Sequence, residues 1–178
     1  MKNLRKMMLL LAVLFVATAA FAQGDANELK VGDKMPQFVL KSETYGNVNP
    51  ADLKGKVVLV SLFATWCGPC KEMFQYVPAF KEKAKDLEVA YLYLSIDRPQ
   101  AEKIWKKSIP YYNLKGHHLL AGKELAQAVY RELGNERGIL SIPRFLIVDQ
   151  YGNIVVSDAA SPNQPEKLLE QLKQVLGQ

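Results

Sequence analysis

Cysteine is almost absent from this chain of 178 residues, which holds only Cys67 and Cys70, and histidine is equally scarce, with His117 and His118 alone. Two cysteines cannot build the multi-bridge framework that staples small exported domains. The bridge they could form closes a very small loop, where the chain-entropy gain is least, and a domain of this size has little need of it. A structural zinc site lacks ligands, because zinc wants four at close pairwise spacing and the histidines lie far downstream. No block of Lys and Arg and no basic stripe interleaved with aromatics marks a nucleic-acid surface. Repeats, low-complexity tracts and linkers are missing after residue 30. The N-terminal apolar run, Met7–Ala22, is shorter than the ~20 residues of a membrane-spanning helix.

That N-terminal run has a different explanation. Lys2, Arg5 and Lys6 precede it and Ala20-Phe21-Ala22 ends it, the small-x-small pattern of a signal-peptidase site. Residues 1–22 are therefore expected to be a signal peptide cleaved after Ala22, sending the protein to the periplasm. An uncleaved membrane anchor is the alternative. No cysteine at the end of the segment is available to carry a lipid. Removing three positive residues from a net charge of +5 leaves about +2, so the basic balance says little about partners. Residues 23–30 read as a flexible lead and residues 31–178 as one domain.

Within that domain, Phe38-Val39-Leu40 and the stretch around Val48, separated by Tyr45-Gly46-Asn47, predict a short hairpin. Val57–Phe63 is a nearly continuous apolar run suited to a central strand covered on both faces. Met73, Phe74, Val77 and Phe80 share one face of a helix expected from about Pro69 to Asp86, with a kink at Pro78. Val89–Ile96 is a second buried strand, and Asp97-Arg98-Pro99 opens a short helix carrying Ile104 and Trp105. Tyr111-Tyr112 and His117-His118 are expected in a connection that could line a substrate groove. Leu125, Ala128, Val129 and Leu133 mark a helix stopped by Gly134. Phe145–Val148 and Ile154–Val156 flank a hairpin turn, and Leu168, Leu169, Leu172, Val175 and Leu176 stripe a last helix from Pro165. The pattern is α/β with a central mixed sheet flanked by helices.

A strand running straight into Trp66-Cys67-Gly68-Pro69-Cys70 at a helix start carries its own chemistry. Unpaired N–H groups there favour negative charge and lower the pKa of the first thiol from about 8.5. Cys67 is accordingly the expected nucleophile, forming a mixed disulfide, and Cys70 the more buried resolving thiol, one turn on. Two lone cysteines, close together and in an oxidising compartment, suit a bond that opens and closes.

Thr65-Trp66-Cys67-Gly68-Pro69-Cys70-Lys71 after an apolar strand resembles the thioredoxin superfamily. Val31-Gly32-Asp33-Lys34-Met35-Pro36, Gly55–Val60 and Ser141-Ile142-Pro143-Arg144-Phe145 resemble its TlpA/ResA-type branch. The resemblance implies a thioredoxin-like fold with an N-terminal β-hairpin extension. It implies a cis peptide bond at Pro143, lying against the cysteines, with Trp66, Gly68, Pro69 and Pro143 supporting the site. The Ile142 carbonyl would then face an extended substrate segment, and Arg144 could contact a partner. It implies a reductase of disulfides in exported proteins, apocytochromes among them, supplied by a membrane thiol donor. No cofactor or metal is called for, and a monomer is expected. The Gly-Pro spacer resembles that of reducing thioredoxins, whereas strong oxidants usually carry a His there.

The chain also departs from that pattern. Ser61 stands where thioredoxins keep an acid, and Met73 where ResA-type proteins place a Glu. Glu72 lies about 100° round the helix from that position and, with Lys71, reads as a solvated face. Two other functions remain open. A thiol peroxidase of the peroxiredoxin-like branch would want Thr and Pro where Ala64 and Val60 stand. A copper-binding module of the same fold would want wider cysteine spacing and a distant histidine, for which His117 or His118 could serve.

Overall fold

The computed structural model describes residues 40–42, 46–48, 53, 55–135, 137 and 139–177. The expected signal segment, the flexible lead and residues 31–39 lie outside them.

Val57–Phe63, apolar at six of its seven positions with Ser61 the exception, can be buried only where both sides of a strand are covered. They form β3, every residue of it buried. On one side β3 pairs in parallel with β4 (Val89–Ser95), and on the other it pairs antiparallel with β6 (Arg144–Val148). Outside these lie β5 (His117–Leu120) and β7 (Ile154–Val156), giving the order β5-β4-β3-β6-β7. A separate hairpin pairs β1 (Leu40–Ser42) with β2 (Gly46–Val48). Gly46 and Asn47, expected in its turn, are strand residues opposite Ser42 and Lys41.

Strand alternation splits the core into two layers. Val57 and Leu59 join Phe145 and Ile147 beneath Phe80, Leu168 and Leu172. Val58, Val60 and Leu62 join Leu92, Leu94 and Leu146 beneath Trp105, Val129 and Leu133. The helices supplying these covers are α1 (Gly68–Phe74), α2 (Val77–Lys83), α3 (Glu102–Tyr111), α4 (Lys123–Leu133) and α5 (Pro165–Leu176). Fully burying one such large apolar side chain contributes roughly 1.5–3 kcal/mol.

Two expectations need correction. Pro78 breaks the expected single helix instead of kinking it. It has no N–H to offer the Phe74 carbonyl, and the preceding turn tightens, with Gln75 and Tyr76 N–H bonding Glu72 and Met73 oxygens three residues back. Chain after the break restarts as α2, which ends at Lys83, not Asp86. The stretch read as a connection also contains a fifth strand, β5, pairing Leu92 with His117 and Tyr93 with His118. Gly116 makes the approach possible, since at its φ of +149° an added Cβ would lie 2.7 Å from the Tyr91 carbonyl oxygen.

His118 is consequently a core residue. Its ring stacks on Tyr93 at 4.9 Å, and its Nε2–H donates to the Leu114 carbonyl at 2.7 Å. Burial pushes its pKa down to about 4. An unfolded histidine titrates near 6.5, so between these values unfolding takes up a proton. Stability from this group is therefore full above about pH 6.5 and lost as pH falls towards 4, by up to about 3 kcal/mol. Urea unfolding at pH 7 and pH 4 should show this loss, and His118→Phe, which keeps the stacked ring, should remove that part of it.

Candidate active site

The C-terminal ends of β3 and β4 form the rim of the sheet where α/β folds place their chemistry. Past β3 the chain turns through Ala64-Thr65-Trp66, and Cys67 N–H donates to the Ala64 carbonyl at 3.1 Å. Cys67 is the N-cap of α1, with Pro69 in the helix's first turn, where a missing N–H costs nothing. Cys67 and Cys70 are joined by a disulfide. The Cys70 backbone N–H donates to Cys67 Sγ at 3.1 Å, the contact that would hold a thiolate there once the bond opens. Because α1 runs for only seven residues, this directed donor matters more than a long helix dipole.

The Ile142–Pro143 peptide bond is cis. Its loop faces the disulfide, with the Ile142 carbonyl oxygen 3.8 Å from Cys67 Sγ. Ile142 and Pro143 are half-buried, and Gly68 and Pro69 are exposed. Cys70 has no exposed surface, whereas Cys67 retains 4 %. The order expected for the two thiols is therefore present, but Cys67 is far less open than an exposed nucleophile, because the Ile142 loop lies over its sulfur.

Trp66, next to Cys67 in the chain, is 65 % exposed and lines a broad cleft with Arg98, Pro99 and Tyr130. Arg144 is turned into the fold. Its Nε and Nη1 donate to the Ser157 and Leu133 carbonyls at 2.9 and 2.7 Å, tying β6 to the end of α4 instead of reaching for a partner. Tyr111 and Tyr112 border a small cleft beside Ala64 and Thr65. The histidines do not join them, for His117 borders a cleft at the opposite end of β3 and β4 with Lys56 and Lys81, and His118 is in the core. The Nε2 of His118 is used as a donor to Leu114, so that nitrogen has no lone pair for copper.

Ser61 is buried between Tyr93 and Phe145 in the sheet register, so no acid stands at that place. Lys71 and Glu72 are exposed, as expected of a solvated face. The buried acid of the site is Asp97, whose place in the sequence marks only a helix opening. It is 1 % exposed. Thr65 N–H and Thr65 Oγ1 donate to its two carboxylate oxygens, each at 2.8 Å, and Ser95 Oγ donates at 2.7 Å. Asp97 thus clamps the segment that leads to Cys67 onto the end of β4. The available signal was an acid directly after a buried parallel strand, at the sheet edge where sites form.

A family model described as Redoxin matches residues 30–176. The chain belongs to the redoxin family. Within it, this redoxin is 24 % identical over 153 residues to the thiol-disulfide oxidoreductase ResA of Bacillus thuringiensis, covering 83 % of this chain and 80 % of that one. It is 28 % identical to the thioredoxin-like protein YneN of Bacillus subtilis, covering 80 % of this chain and 78 % of the relative. Its fold matches the thioredoxin domain of a thiol-disulfide oxidoreductase from Bacteroides vulgatus with a TM-score of 0.67 at 23 % identity, covering 83 % of this chain and 98 % of that one. This redoxin is a thioredoxin-superfamily protein of the ResA/TlpA type. Family, fold and paired cysteines together make it a thioredoxin-like thiol–disulfide oxidoreductase.

Proposed function

We propose that this redoxin reduces disulfides of exported proteins by cycling Cys67 and Cys70 between dithiol and disulfide. The observation that carries the reading is the asymmetry of the pair. Cys67 Sγ caps α1 and receives the Cys70 N–H, while Cys70 is wholly enclosed.

In the reduced protein the Cys67 thiolate attacks one sulfur of the substrate disulfide. An S–S bond forms to Cys67, and the other substrate sulfur leaves as a thiolate and takes up a proton. Cys70, deprotonated, then attacks Cys67 Sγ and expels the second substrate thiolate, which is protonated in turn. Two electrons and two protons have passed to the substrate, and the protein holds the Cys67–Cys70 disulfide. A donor dithiol at the membrane restores the reduced form. The Ile142 carbonyl oxygen lies 3.8 Å from Cys67 Sγ, where an extended substrate strand could bond to it.

Export fits the N-terminal pattern, with a signal peptide cleaved after Ala22 and a periplasmic site of action. The substrates are exported proteins with misplaced or transient disulfides, apocytochromes among them, and the protein acts as a monomer. The direction rests on the Gly68-Pro69 spacer, which contains no histidine to stabilise a thiolate.

Equilibration in graded thiol–disulfide buffers, followed by Trp66 fluorescence, gives the potential of the pair. The reading expects a value near that of thioredoxin, about −270 mV. A value near −120 mV would instead make the protein an oxidant.

A further inference from the structure

Two clefts border the Ala64-Thr65-Trp66 segment that delivers Cys67, and Ile104 lines both. The smaller, about 220 Å³, has a floor of Phe63, Phe74 and Tyr112 and carries Lys71 and Lys107. The larger, about 1090 Å³, runs from Trp66 to Tyr130 and carries Arg98 and Lys123. Three large apolar side chains stand out of this surface: Trp66, Ile104 at 61 % exposure and Tyr111 at 80 %. Folding alone gives no reason to hold them there, and grouped around a reactive disulfide they mark a contact surface.

Among the described residues lining the two clefts, the exposed charges have one sign. Lys71, Arg98, Lys107 and Lys123 are all exposed, and none is paired with a carboxylate among the described residues. Among the described residues, Asp97 is the one acid lining either cleft, and its oxygens are already engaged by Thr65 and Ser95. On α3, Glu102 is neutralised by Lys106 at 3.1 Å. A chain that carries only about +2 beyond residue 22 thus sets around its dithiol four cations that have no carboxylate partner among the described residues. Such a field attracts an anionic partner and repels a cationic one.

We propose that the substrate is a protein segment whose disulfide cysteine is flanked by carboxylates and by an apolar side chain. The apolar group lies against Ile104, and Asp or Glu residues on either side of the cysteine meet Lys71 and Lys107 across one cleft and Arg98 and Lys123 across the other. This inference rests on thiol–disulfide exchange at Cys67 and names the substrate class of that exchange.

The test uses the reduced protein and two disulfide-bonded peptides that are identical except for two Glu or two Lys flanking a cysteine–leucine core. At low salt the Glu peptide should be reduced at least about tenfold faster, and about 0.5 M NaCl should erase most of the difference, since exposed charges are then screened within a few ångströms. In the double variant Lys107→Glu and Lys123→Glu the ratio of the two rates should fall to about one or invert. Equal rates for the two peptides with the unaltered protein would overturn the substrate class, as would a preference that survives the double variant. The neutral hydroxyethyl disulfide separates this failure from that of the underlying function. If the protein reduces it but treats the peptides alike, only the docking inference falls; if it cannot reduce it, exchange at Cys67 falls and the inference with it.

Discussion

Cys70→Ser protein, mixed with a disulfide-bonded substrate, should accumulate as a stable mixed disulfide through Cys67, and Cys67→Ser protein should form none. The asymmetry follows from position. Cys67 Sγ lies at the helix cap, accepts the Cys70 N–H and keeps the small exposed surface of the pair. Cys70 has none and belongs to the buried cluster that includes Phe63 and Phe74. Removing Cys70 therefore leaves attack intact and abolishes resolution, whereas removing Cys67 abolishes both. Multiple-turnover reduction should fall at least about 10³-fold in either variant, because covalent catalysis loses its nucleophile or its exit. Mass spectrometry of the trapped species is the check. Adducts on Cys70 in the Cys67→Ser protein at a similar rate would reverse the assignment.

Asp97→Ala should be the most destabilising single change near the site. The carboxylate accepts from Thr65 N–H, Thr65 Oγ1 and Ser95 Oγ in a place with almost no solvent. Alanine leaves these donors without their acceptor, and each unsatisfied buried group costs about 1–3 kcal/mol. Because Thr65 can partly relax towards water, a total near 3 kcal/mol is expected, not the full sum. Asp97→Asn keeps an acceptor oxygen and should lose about half as much. Exchange should slow several-fold in the alanine variant, since Thr65 and Trp66 set where Cys67 stands. Urea unfolding of the three proteins decides it, and a change under 0.5 kcal/mol for alanine would show that the clamp contributes little.

Much of this architecture is legible in the sequence. Val57–Phe63 is apolar at every position but Ser61, so only a doubly covered strand could hold it, and the cysteine motif directly after it fixes the reactive rim of the sheet. The stripe on α5 and the Asp149–Asn153 hairpin were equally plain, because period and turn chemistry are local properties. What escaped depended on partners distant in sequence. His117–Leu120 is a strand only because it lies beside β4, and four residues carry no period of their own. Asp97 acquires its meaning from Thr65, thirty-two residues earlier. Arg144 was misread for the same reason, since Leu133 and Ser157 meet it only in the fold. At Pro78 the local rule was right in kind but too mild in degree, for the lost N–H ended the helix.

The proposed exchange depends most directly on Cys67 being the activated thiol. Alkylation of the reduced protein with iodoacetamide across a range of pH, with each cysteine followed by peptide mass, measures that property. Cys67 should react first and with an inflection clearly below the ordinary thiol value of about 8.5, while Cys70 stays protected. Equal reactivity of the two cysteines, or an inflection at or above 8.5 for Cys67, would contradict it.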